Sequence, residues 1–98
     1  MSLSSLQRYI LRKTLESRHN NLPRKAIGEF YAKRKNKPSA RAQAEIVGRS
    51  IDRLVARGMV RAIGVKTKEK WFVREVQLTT AGRRRAKDYL GRQQQLPF

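Results

Sequence analysis

The sequence predicts one α+β domain, mostly helical: three helices, a long β-hairpin and a last helix. Three observations predict it. Up to residue 57 the apolar residues recur every three to four positions, a helical period. After Gly58 the pattern changes to alternation, with β-branched and aromatic residues, as strands require. From Thr79 or Thr80 onward a helical spacing returns.

Residues 3–18 read as the first helix, with Leu3, Leu6 and Ile10 on one stripe and Leu11 and Leu15 widening it. His19, Asn20 and Asn21 form a stop-and-turn signal. A second helix, 23–34, starts at Pro23, whose missing N–H costs nothing at a first helical position. Ala26, Ile27, Phe30 and Tyr31 give it an apolar face, and Gly28 weakens it. The run "KRKNKP" is too polar for a core and reads as a loop or a frayed helix end.

The third helix spans 39–57 with Ser39 as N-cap. A helical wheel centred on Val47 puts Ala40, Ala44, Ile51 and Leu54 beside it. Arg41, Ala42, Glu45, Arg49, Asp52, Arg53 and Ala56 fall on the opposite side. Gly58 suits the left-handed position that ends a helix. The hairpin occupies 59–79, with a Lys-rich tip at 66–70. Phe72, Val76 and Leu78 share one face of its returning strand, interrupted by Arg74. The last helix, 80–91, docks through Ala86, Tyr89 and Leu90. The domain therefore covers 1–92, with 93–98 a loose tail.

Charge narrows the function. The chain carries 24 Lys plus Arg against 7 Asp plus Glu, a net charge of +17 spread through every segment. Such a charge repels itself in a compact fold and points to a polyanionic partner: nucleic acid first, an anionic membrane surface second. No 18-residue apolar run exists, so no membrane span is expected, and the first residues do not read as a secretory signal. With no Cys, one His and scattered acids, neither a metal site nor a nucleophile–base pair is expected. No Gly-rich phosphate loop appears. The expectation is a non-enzyme without cofactor, metal or small-molecule ligand, cytoplasmic and nucleoid-associated.

The order of elements resembles a winged helix-turn-helix domain over about residues 22–90. The run Val47-x-Arg49-x-Ile51-x-x-Leu54-x-x-Arg57-Gly58-x-Val60 resembles the recognition-helix-to-wing run of MarR-type transcription regulators. Val76-x-Leu78-Thr79-x-x-Gly82 resembles their wing-to-last-helix signature. Where such wings carry an Asp-x-Arg pair, this chain reads Lys70-Trp71-Phe72, and the connection "KRKNKPSAR" is longer and more basic than usual. The match is therefore to the wider superfamily and only loosely to the MarR family.

The resemblance implies a DNA-binding fold whose third helix enters the major groove and whose N-terminal half meets base edges. On that basis Arg41, Ala42, Gln43, Glu45 and Arg49 are the base-reading candidates. Lys33, Arg34, Lys35, Lys37, Ser39 and Arg53, with Lys66, Lys68 and Lys70 of the wing, are the backbone candidates. Several residues also have a plainer reading. Glu45 and Arg49 make an i,i+4 ion pair, and the loop and tip lysines can be solvated charge. Trp71 and Phe72 are stacking platforms for unpaired bases or packing for the sheet. Arg83, Arg84 and Arg85 read as outward charge, and Arg57 as a cation suited to a helix C-terminus.

The expected function is thus sequence-specific binding of double-stranded DNA by a small transcription regulator. The expected homodimer uses the terminal helices, through Leu11, Leu15, Tyr89 and Leu90. Two alternatives stand beside it: a nonspecific architectural or RNA- or ribosome-associated basic protein, and a protein–protein module.

Overall fold

A computed structural model describes residues 3–17, 19–32, 34–68 and 71–94 of the protein. Four α-helices and a three-stranded antiparallel sheet make a small, mostly helical α+β domain. In chain order these are α1 (Ser5–Glu16), β1 (Asn21–Pro23), α2 (Arg24–Ile27), a 3-10 turn (Gly28–Tyr31), α3 (Ala40–Ala56), β2 (Val60–Lys66), β3 (Trp71–Leu78) and α4 (Thr80–Gln94).

Helix α1 starts in a capping box. The Gln7 backbone N–H donates to the Ser4 hydroxyl at 3.1 Å, and the Ser4 N–H donates back to Gln7 Oε1 at 2.9 Å. The helix packs against α4, α3, β1 and β3. Cover on several sides explains its wide apolar face: Leu6, Ile10 and Leu11 are buried, and Leu15 is half-buried against the same core. Leu11 and Leu15 are therefore used inside the domain, which corrects the expectation that they are spare for a dimer. The side chains of Tyr89 and Leu90 lie outside the described residues.

The second helix differs most from expectation. Pro23 both ends a strand and caps the helix that starts at Arg24, close to the expected start, but only four helical residues and one 3-10 turn follow, not a helix to 34. The turn before it is made by Asn20, whose φ of 56° is left-handed, a conformation Asn tolerates. The Asn21 N–H then donates to the Ser17 hydroxyl at 2.8 Å, and the Leu78 N–H donates to the Asn20 carbonyl at 2.9 Å. These bonds seat Asn21–Pro23 on the edge of β3, so the sheet has the order β1-β3-β2 and not two strands. Beside it Phe30 stacks edge-on to both Tyr9 and Tyr31, with centroids 5.1 Å apart in each pair. Burial raises the Tyr9 pKa above its ordinary value; Glu29 pushes the same way and Arg12 opposes.

Helix α3 is capped by Ser39, whose hydroxyl accepts from the Ala42 N–H at 3.2 Å. It ends at Gly58, with φ +72°. Val47, Ile51 and Leu54 drop into the core with Val60 and Val76. The two sequence runs that carry the resemblance meet in space. The Thr79 hydroxyl donates toward the carbonyls of Gly58 (2.6 Å) and Met59 (3.0 Å) and accepts from the Gly82 N–H at 2.9 Å. One side chain thus caps α4 and ties it to the end of α3.

Candidate nucleic-acid interface

The N-terminal half of α3 exposes one side, while Ile46 and Val47 on the other pack on the core. Ala40, Arg41, Ala44, Glu45 and Arg49 are exposed, and Ala42 and Gln43 are half-buried. Ala40 and Ala44, expected beside Val47 in the core, instead border an open groove of about 330 Å³ shared with Arg24, Lys25 and Gln43. The reason is the shortness of α2: one helical turn cannot cover the start of a 17-residue helix.

A side chain bridges the gap instead. Arg24 Nη2 donates to the Ala44 carbonyl at 2.9 Å, and a Cβ on Gly48 would meet the same nitrogen at 3.6 Å. Sequence reasoning did not single out Arg24. The bond joins residues 20 positions apart, and no local pattern marks it.

The base-reading candidates divide by what they already hold. Gln43 Nε2 donates to the Pro38 carbonyl at 2.7 Å, so this amide fastens the loop to the helix. Glu45 Oε2 lies 3.7 Å from Arg49 Nη2, and both side chains are largely exposed, at 60% and 71%. A solvent-exposed pair this long contributes only about 0.2–0.5 kcal/mol, so a stronger partner can displace it. Arg41 projects from the first turn, and Arg53 is exposed further along the same helix.

The connecting loop is exposed at Arg34, Lys35, Lys37 and Ser39. Arg34 is oriented by its neighbour: its guanidinium carbon lies 4.1 Å from the centroid of Phe30, a cation–π geometry. At the far end of the hairpin Lys66 and Lys68 are exposed. Lys33 and Lys70 lie outside the described residues. Arg57 forms the C-cap of α3, and Arg83, Arg84 and Arg85 are exposed on α4. His19 is exposed in its turn.

Phe72 departs from expectation. Regular pairing would place it on the core face with Val76 and Leu78. Ile63 pairs with Glu75 but Gly64 pairs with Val73, so Arg74 is an extra residue, a β-bulge. Because strand side chains alternate, one extra residue swaps the faces beyond it. Val73 turns inward against the core, and Phe72 turns outward, 50% exposed, opposite Val65. Leaving a phenylalanine half in water forgoes on the order of 1 kcal/mol of burial. The bulge also needs Gly64, where a Cβ would stand 1.9 Å from the Phe72 carbonyl oxygen. The side chain of Trp71 lies outside the described residues.

Among the described residues no group of three His, Asp or Glu side chains can hold a metal ion. No helix among them is long and apolar enough to cross a membrane. The chain matches no protein-family model and no curated protein sequence.

Proposed function

We propose that the chain is a winged helix-turn-helix protein that binds double-stranded DNA sequence-specifically, as a small transcription regulator acting in the cytoplasm on the nucleoid. The observation that carries this reading is the exposed side of the first half of α3. It presents Arg41, Glu45 and Arg49 along one exposed face, next to a loop bearing Arg34, Lys35 and Lys37. A helix of this width fits the major groove, where arginine pairs with guanine and a carboxylate accepts from cytosine. The loop cations and Lys66 and Lys68 of the hairpin then lie on phosphates and set position without reading sequence.

The net charge of +17 supports a polyanionic partner but does not choose among polyanions. One observation favours the second reading, a nonspecific architectural or RNA-associated protein: Glu45 and Arg49 already face each other across 3.7 Å. If that pair persists in the complex, the face reads no bases. A competition assay separates the two. Selected duplex should outcompete random duplex by about 10³-fold or more at physiological salt. A ratio near one, or tighter binding to structured RNA, would support the second reading. Dimerisation through the terminal helices belongs to the proposal too, now resting on α4, since α1 is used in the core.

A further inference from the structure

The outer face of the hairpin carries apolar side chains that the other described residues leave exposed. Ile63 and Val65 lie two apart on β2, and Phe72 pairs directly with Val65, so the three share one face, at 38%, 45% and 50% exposure. Cross-strand partners of this kind have Cβ atoms about 5 Å apart, so Val65 and Phe72 form one surface. Arg61, on the same face of β2, is exposed, and so is Arg74 at the bulge. The acid on this face, Glu75, accepts from Asn21 Nδ2 at 3.1 Å. The bulge and Gly64 together hold Phe72 outward while the smaller Val73 is packed.

We propose that this face is a stacking platform for an unpaired base of a nucleic-acid strand, with Phe72 as the ring and Val65 and Ile63 beside it. Charge selects the occupant. From Val60 to Glu75 the sequence holds Arg61, Lys66, Lys68, Lys70 and Arg74 against Glu69 and Glu75, a net positive charge. A second copy would set like charge against like charge across the face. A nucleic-acid strand offers what the face lacks: phosphates for the surrounding cations and a flat apolar surface for the ring. The inference rests on the nucleic-acid reading only for the class of partner and needs no sequence selectivity. It gives the protein preference for duplex next to a single-stranded overhang.

The test uses the full chain and two labelled oligonucleotide substrates of the same sequence, a blunt duplex and a duplex with an overhang containing 2-aminopurine. The overhang substrate should bind about 5- to 150-fold tighter, the range expected for stacking one base, with quenched 2-aminopurine fluorescence. Phe72→Ala and Val65→Ser should each abolish or reduce that preference while leaving blunt-duplex affinity unchanged, and Phe72→Tyr should restore it. Equal affinity for the two substrates in the wild type would overturn the inference and leave duplex binding standing. So would an equal loss on both substrates in Phe72→Ala. Conversion from dimer to monomer in Phe72→Ala by sedimentation, without loss of overhang preference, would mark the face as a self-interface. Binding to anionic vesicles lost in Phe72→Ala, with oligonucleotide binding intact, would mark it as a lipid surface.

Discussion

Gly82 rests on Met59: a Cβ built on Gly82 would lie 1.8 Å from the Met59 carbonyl oxygen. The obstacle is backbone, so no side-chain rotation relieves it. Gly82→Ala should force α4 away from the start of β2 and destabilise the domain by roughly 1–3 kcal/mol or more. For a domain of this size each kcal/mol lowers the Tm by about 4–8 °C. A thermal melt within a degree of wild type would show that the contact is absent.

Thr79 works at the same junction. Removing its hydroxyl frees the Gly82 N–H and takes one donor from the Gly58 carbonyl, while the Met59 carbonyl keeps the Thr79 backbone N–H at 3.1 Å. Thr79→Ala should cost about 1 kcal/mol, up to about 2, whereas Thr79→Ser keeps the cap. Chemical denaturation of the two variants checks this.

Two glycines should respond oppositely to the same change. A Cβ on Gly64 would meet the Phe72 backbone, but one on Gly28 meets nothing within 4 Å. Gly28 has φ −60° and ψ −22°, which alanine adopts freely. Gly28→Ala should therefore stabilise by about 0.4–1 kcal/mol. Gly64→Ala should destabilise and speed amide exchange at Val73 and Val76.

Arg24 should act on α3 from a distance. Arg24→Ala removes the hydrogen bond to the Ala44 carbonyl. Because that contact is exposed, the stability loss should be under about 1 kcal/mol. Amide exchange around Ala44 and Gly48 should quicken, and affinity for selected DNA should fall in a protein that remains folded. Unchanged exchange there would remove Arg24 from the positioning of α3.

The loop lysines should govern salt dependence. Replacing Lys35 and Lys37 by Ala should weaken binding to selected and random duplex alike. If each contacts one phosphate, the log–log salt slope should flatten by about 0.9 per lysine. An unaltered slope would assign both to solvent.

What was legible in the sequence follows from what each signal depends on. Helix α3 announces itself locally, through the Ser39 cap, the spacing of Val47, Ile51 and Leu54, and the Gly58 stop. The hairpin is legible for the same reason. Strand β1 is not: three residues are too few for a period, and they are strand only because Ser17 and β3 bind them. The start of the second helix at Pro23 was legible, since Pro23 is its N-cap, but its early change to a 3-10 turn at Gly28 was not, and that hid the exposure of Ala40 and Ala44. The bulge left one trace, Arg74 interrupting an apolar face, but alternation alone cannot say whether a strand tolerates a charge or inserts a residue. Arg24's bond to Ala44 spans 20 residues and two elements, beyond the reach of local pattern.

Arg49 tests the central claim most directly. Sequences bound from a random duplex library at physiological salt should converge on a motif, and Arg49→Ala should lose specificity at one position of it. Its affinity for the selected site should drop by about 5- to 150-fold, the range for one bidentate base contact, with a far smaller loss on random duplex. A library that yields no motif, or an Arg49→Ala protein weakened equally on selected and random duplex, would contradict the account.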